Sequence, residues 1–249
     1  MRVIALDTTT RAGSVALVED DRVVAQRGGD AARTHALRLP GEIVTLAAEH
    51  GWPLDVIDLY AVATGPGLFT GLRIGLATIQ GLAFVHARKV VGMPVLEAIA
   101  YAASAELPAG AIVGAWMDAH RQDVFTALYR VNAAPPFSRA RLTGIEGPAV
   151  GSPAATLARW QHLAVGPPAA MAGDGAVLHA ADISRALPAA SVTPLSALAG
   201  VIGLVALDRA AEALEASQVR PLYVRRPDVE IVRDEKLRRE RIQAKDTTR

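Results

Sequence analysis

The chain predicts an α/β fold of two related halves with a cleft between them, and three observations carry that expectation. An apolar run ending in aspartate, a tight polar turn and a returning apolar run occur twice, at Asp7 and at Asp118. After each of these starts, strand-like and helix-like stretches follow one another, the mark of a layered α/β domain. Hydrophobic residues make up 51% of the 249 positions and there is no cysteine, so a sizeable core forms without disulfide or thiolate-metal staples.

Taken in order, residues 2–7 read as a first strand, 8–13 as a polar turn and 14–18 as a second strand. Residues 19–22 turn the chain into a third strand at 23–26. An amphipathic helix is expected over 33–50, with Leu39, Ile43, Leu46 and Ala47 on one side and Pro40 marking a kink or a late start. Residues 56–63 form the next buried strand, after which Gly65-Pro66-Gly67 breaks the chain and Thr70 is placed to cap a helix starting near Gly71. A short strand at 89–91, a turn at 92–94 and a helix over 95–106 complete this half, and Pro108-Ala109-Gly110 reads as the boundary.

The second half repeats the start with strands at 111–117, 123–130 and 139–143 around the turn 119–122. A helix over 153–162, a strand at 170–172 and a long Ala/Leu-rich helix from Ser196 to Ala216 follow, then an extended exit at 221–227. The expected division is therefore 1–107 for the first half, rejoined by a helix within 194–217, with 108–193 as the second half. Residues 228–249 are a charged tail with the composition of a solvated or disordered end.

Gly71, Gly75, Thr78 and Gly81 recur every three or four residues, so one helix face carries almost no side chain. Each helical glycine costs about 1 kcal/mol relative to alanine, and close approach of another backbone justifies the repetition. Two readings fit the stretch: a glycine turn holding a phosphate at a helix N-terminus, or a smooth face packed on a second helix, in this chain or a partner. Leu72 and Arg73 stand where a P-loop needs Lys and Ser/Thr, and Thr70 stands where the dinucleotide fingerprint needs glycine, which favours packing.

Charge and missing motifs bound the chemistry. Residues 233–249 hold seven Lys/Arg against four Asp/Glu, a local +3, which leaves −2 on the rest of a chain whose net charge is +1. So neutral a body gives little support for non-specific nucleic-acid binding. The longest apolar run, Leu195 to Leu207 with 13 residues, is too short to span a bilayer, and the N-terminus enters a strand pattern without a leader; a cytoplasmic, membrane-free protein is expected. His35, His50, His86, His120, His162 and His179 are scattered without metal-ligand spacing, so no metal is expected, and no Gly-x-Ser-x-Gly elbow is present. Asp7 with Thr8 and Thr9 either faces a phosphate or caps its own turn. Gly173-Asp174-Gly175 either lets a flat ligand such as adenine approach or is an ordinary turn. A cleft carrying both Asp7 and Asp118 leaves an ATP-dependent kinase or hydrolase as the alternative to a binding protein.

These residues resemble a known family. Gly65-Pro66-Gly67-Leu68-Phe69-Thr70-Gly71-Leu72-Arg73-Ile74-Gly75 resembles the GPGSFTGLRIG signature of the TsaB (YeaZ) family of tRNA threonylcarbamoyladenosine biosynthesis. Leu6-Asp7-Thr8-Thr9, Thr34 to Pro40, Met117 to Phe125 (the DARRGEVY segment), Ala172 to Gly175 and Pro221 to Arg225 follow in family order. The similarity spans about residues 1–226. It implies an actin-like ATPase (ASKHA) fold and a non-catalytic subunit that acts as scaffold and activator of TsaD. TsaE joins that complex, the modified adenosine lies beside the anticodon of tRNAs reading codons that begin with A, and tRNA is met through the complex. It further implies a homodimer when TsaD is absent, an interface at His35, Leu39, Thr70, Gly71, Arg73, Ile74, Gly75 and Thr78, and a vestigial nucleotide site at Asp7, Thr8, Thr9, Asp118, Gly173, Asp174 and Gly175. No cofactor is required of this chain, with room for weak ATP or ADP binding, while the complex uses ATP. TsaD-like proteins carry a His-x-x-x-His metal pair where residues 94–100 stand here without histidine. Departures are Leu68 for serine, and His120, Gln122 and Asp123 within the DARRGE pattern.

Overall fold

Arg2–Asp7 is a strand (β1) that becomes fully buried after its first residue, which is why it reads as a continuous apolar run rather than an alternating one. In the computed structural model, which describes residues 1–195 and 197–225, β1 pairs antiparallel with β2 (Ser14–Glu19), which pairs antiparallel with the exposed edge strand β3 (Arg22–Gly28). On its other side β1 runs parallel to β4 (Leu59–Gly65), and β4 to β5 (Lys89–Pro94). The second sheet, β6 (Ile112–Asp118), β7 (Val124–Val131), β8 (Leu142–Gly151), β9 (Ala170–Ala172) and β10 (Ser191–Thr193), repeats this plan. The orders β3-β2-β1-β4-β5 and β8-β7-β6-β9-β10 correspond strand for strand.

Strand alternation divides the apolar side chains between layers. Ile4 and Leu6 of β1 face α1 (His35–Glu49) and α2 (Phe69–Val85), meeting Leu39, Ile43, Leu76 and Ile79. Val3 and Ala5 face the other way, into a cluster with α3 (Val95–Ser104), α7 (Ala199–Asp208) and the inner side chains of the second sheet, among them Val113, Ala115 and Ala127. The outer face of that sheet is covered by α4 (Pro153–Gln161), α5 (Asp174–Leu178) and α6 (Ala180–Ala186), packed around Trp116 and Trp160. One core thus joins both sheets on the α3/α7 side, and the ends of β1 and β6 open on the opposite side.

Several boundaries differ from expectation. Thr70 is not a cap: α2 begins at Phe69, Leu68 holds the cap position, and no side chain caps it. Pro40 neither delays nor ends α1: it sits within His35–Glu49, with its ring and Ala36 both on the exposed side of the helix. The helix expected over 194–217 is α7 alone, ending at Asp208, followed by single 3-10 turns at Ala210–Glu212 and Ala216–Gln218. The chain leaves the helix so that Leu214 can exchange both backbone hydrogen bonds with Val90 at the edge of the first sheet. Ser196, the expected start of that helix, and the 228–249 tail lie outside the described residues. No helix among the described residues is long and apolar enough to cross a membrane.

Candidate functional site

The first hairpin turn, residues 8–13, is fixed by its own side chains and then gripped from behind. Oδ1 of Asp7 accepts the backbone N–H of Thr9 at 2.9 Å and its hydroxyl at 2.6 Å, and the Thr10 hydroxyl accepts the Gly13 N–H at 3.1 Å. Gly13 sits at φ 59° against the Asp7 carbonyl and the His35 ring, where a side chain would collide. Burial raises the Asp7 pKa, against the two Thr9 hydrogen bonds, which lower it. Asp7 therefore caps its own turn and is buried.

α1 holds the turn's carbonyls. Nε2 of His35 lies 2.9 Å from the Thr10 oxygen, and Nη2 of Arg38 donates to the carbonyls of Arg11, at 3.2 Å, and of Ala12. Arg38 also lies 3.0 Å from Nδ1 of His35 and pairs with Glu42 at 2.6 Å. A guanidinium only donates and a carbonyl only accepts, so the network assigns the His35 proton to Nε2.

α2 seats the same turn. A Cβ at Gly71 would strike the Thr8 carbonyl, and one at Gly75 would come within 3.0 Å of Thr8 Cγ2 and closer still to its hydroxyl. The close approach inferred from the glycine spacing holds at Gly71 and Gly75, against this chain's own turn and, at Gly71, the His35 ring of α1, while Gly81 has nothing within 4 Å. Of the expected interface residues, His35, Leu39, Gly71 and Gly75 are buried inside the chain. Ile74 and Thr78 are half-buried, the Thr78 hydroxyl donating to the Ile74 carbonyl at 2.8 Å, while Thr70 and Arg73 are exposed.

The second turn mirrors the first. Oδ1 of Asp118 accepts the His120 N–H at 2.7 Å, and its other oxygen lies 3.1 Å from His120 Nδ1. His120, Arg121 and Gln122 take left-handed backbone angles, φ 58°, 55° and 66°, and Gln122 occupies the glycine position of the resembled pattern. Oδ1 of Asp174 accepts the N–H groups of Asp118 at 3.1 Å and Gly175 at 2.8 Å, and desolvation raises its pKa. Gly173 and Gly175 press against the backbone of Trp116 and Met117, so this Gly-Asp-Gly is first a packing element between α5 and β6.

Between the turns lies a cleft of about 620 Å³ lined by Thr9, Arg11, Asp118, His120 and Asp174. Asp7 is not among its lining residues, so the two strand-end aspartates do not face each other across it. The exit segment crosses the cleft mouth. Leu222 donates to the Thr64 carbonyl at 2.7 Å in the first half, and Arg225 donates to Ala119 O at 2.8 Å and pairs with Asp123 at 2.5 Å in the second. Tyr223 packs on Phe69 with ring centroids 5.4 Å apart. Among the described residues no cluster of three His, Cys, Asp or Glu side chains could hold a metal.

The outer faces of α1 and α2 form a second feature. Leu37 and Val44 on α1 are 73% and 54% exposed, and Phe84 and Val85 on α2 are 82% and 74% exposed. They share their faces with Gly41 and Ala48, and with Ala77 and Gly81, all exposed. Sequence reasoning stopped at the inner stripes; the signal for the outer ones was a second apolar period, Leu37-Gly41-Val44-Ala48, opposite Leu39-Ile43-Leu46.

Comparison with known proteins follows this geometry. The family model for TsaD, tRNA N6-adenosine threonylcarbamoyltransferase, matches residues 17–236. Proteins described as tRNA threonylcarbamoyladenosine biosynthesis protein TsaB are 37% identical over 131 residues in Haemophilus influenzae (50% of this chain, 52% of that one) and 35% identical over 130 residues in Escherichia coli (52% and 55%). The chain thus spans about half the length of these curated relatives. The solved structure of YeaZ from Pseudomonas aeruginosa superposes with a TM-score of 0.68 at 29% identity, covering 89% of this chain and 99% of that one. The activator of 2-hydroxyisocaproyl-CoA dehydratase from Clostridium difficile, solved with bound ADPNP, shares the fold at a TM-score of 0.51 and 11% identity, over 90% and 100% of the two chains. With its duplicated actin-like sheets and this match over most of its length, the chain belongs to the TsaD family and, within it, to the TsaB/YeaZ proteins.

Proposed function

We propose that this chain is a non-catalytic subunit of tRNA threonylcarbamoyladenosine biosynthesis, acting in the cytoplasm as scaffold and activator of the threonylcarbamoyltransferase TsaD. The observation that carries the reading is the exposed apolar face made by Leu37, Val44, Phe84 and Val85 on two adjacent helices. Side chains of this kind gain about 1.5–3 kcal/mol each on full burial, which makes such a face a protein-docking surface. The same face closes on a second copy when TsaD is absent. TsaE and tRNA then join through the assembled complex, and the two sheets, 1–107 and 108–193, serve as its structural halves.

The carboxylates of the inter-sheet cleft also support the accessory reading. Asp7 is committed to Thr9, Asp118 to His120 and Asp174 to two backbone amides, so each is already engaged in holding a turn. A nucleotide-binding role, whether a weak ATP or ADP site or an ATP-dependent enzyme, draws on the actin-like fold and the open cleft. Calorimetry with Mg-ATP and a phosphate-release assay separates these: steady turnover abolished in Asp118→Ala would establish the enzyme.

The docking role is tested with Phe84→Asp. The residue is 82% exposed, so the variant folds, and its association with TsaD in gel filtration is expected to be lost. Unchanged association would remove this face from the interface.

A further inference from the structure

Beside the apolar face of α2 runs a shallow groove of about 500 Å³, walled by Arg73, Ala77 and Gln80 of α2, by Val219 and Arg220, and by Tyr223 of the exit segment. Ala77 belongs to both features, and Arg73, Ala77, Gly81 and Phe84 lie on one helical stripe, so groove and docking face are continuous. The groove differs from that face in charge. Arg73 stacks on the Phe69 ring at 3.9 Å and donates its Nε–H to the Tyr223 hydroxyl at 3.2 Å. Arg220 donates to the carbonyls of Ser217 and, at 3.3 Å, Val219. Neither meets a carboxylate among the described residues, whereas Arg27, also exposed on the first half, pairs with Glu49 at 2.7 Å.

We infer that this groove receives an acidic side chain or short acidic segment of the protein that docks on α1 and α2, so that the interface is an apolar centre with an anionic contact at its rim. The stacking of Arg73 fixes its planar guanidinium in advance, with donors left for a two-pronged carboxylate contact. Arg220, whose Nη1 donates to two carbonyls, supplies the second cation across the groove. Paired cations at the edge of an apolar patch contribute register and association rate more than raw affinity, and their effect is screened by salt.

The inference rests on the docking role proposed above, and the experiment separates the two. Binding of the full chain to TsaD from the same organism is measured by calorimetry in 50 mM and 500 mM salt for the unaltered chain, Arg220→Glu, Arg73→Gln and Phe84→Asp. Circular dichroism melts confirm that each variant is folded. The expected result is a loss of about tenfold for Arg220→Glu at low salt that shrinks at high salt, a smaller loss for Arg73→Gln, and no binding by Phe84→Asp. Arg220→Lys should keep most of the affinity. If Phe84→Asp abolishes binding while Arg220→Glu binds like the unaltered chain, or loses equally at both salt concentrations, the acidic occupant is wrong and the docking face stands. Should Phe84→Asp bind normally, the docking role falls and the groove's occupant with it.

Discussion

At the residue scale, Gly75 shows how a stripe of small residues is used. Helix propensity alone favours alanine there by about 1 kcal/mol. The space beside it is filled by Thr8, with Cγ2 within 3.0 Å and Cβ within 3.1 Å of where a Cβ would stand, so no rotation of Thr8 clears the way. Overpacking wins, and Gly75→Ala is expected to destabilise the chain by about 2 kcal/mol in urea denaturation. Thr8→Ala in the same chain should restore part of that loss, because the two positions share one contact. A gain in stability from the single substitution would show that Thr8 moves freely. The glycine spacing thus announced a close neighbour but not its identity, since a turn some 60 residues upstream leaves no mark on the helix sequence.

Asp7 makes a second residue-scale argument, on pH. Its carboxyl pKa is raised by burial, so the folded chain holds that proton more tightly than the unfolded chain. The associated stability is complete below the unfolded value of 3.8 and declines as pH rises through the folded one. Asp7→Asn keeps an oxygen acceptor for Thr9 and removes the buried charge. Its stability relative to the unaltered chain should therefore improve from pH 4 to pH 7 in thermal melts. A difference that is flat across this range would refute the sign.

At the scale of elements, a helix has two faces and the sequence marks them unequally. The inner stripe of α1, Leu39-Ile43-Leu46, follows the 3.6-residue period and is legible. The outer one, Leu37-Gly41-Val44-Ala48, keeps the same period, but two of its four positions are Gly and Ala, so its apolar signal is weak. Helix ends were harder, because tertiary partners decide them. Arg141 illustrates this: it is buried, and its guanidinium donates to the Ser104 carbonyl at the last residue of α3 and to those of Leu107, Asn132 and Ala134. Those carbonyls lie near an end where no helical partner exists. Arg141→Met is expected to cost about 3 kcal/mol in urea denaturation by leaving them unsatisfied. Arg141→Lys should recover only part, since an ammonium cannot fork among four acceptors. Equal stability of all three chains would mean that water replaces the guanidinium without penalty.

For the whole molecule, the duplicated plan was readable because each half begins with the same strand–aspartate–turn–strand. The joining of the halves was legible only in part: a late helix returning to the first half was expected, whereas the contributions of α3, from mid-chain, and of the exit segment left no mark in the sequence. On the α3/α7 side the two sheets share one apolar core; across the cleft they are linked by the exit segment through Leu222, Tyr223 and Arg225. The core side ties the halves together, because its apolar cluster takes side chains from both sheets. The Arg225–Asp123 pair is partly exposed, so its contribution is discounted by solvent to about 1 kcal/mol or less. Arg225→Ala should therefore leave the melting temperature nearly unchanged. It should also speed hydrogen exchange at Leu222 and across residues 119–123, since the second turn loses the donor that caps Ala119 O and the partner of Asp123. Amides in β1 and β6 serve as the internal standard and should keep their protection. Faster exchange there as well would place the segment in the global folding unit instead of at the cleft mouth. Unchanged exchange at 119–123 would mean that the second turn holds its shape through Asp118 and His120 alone.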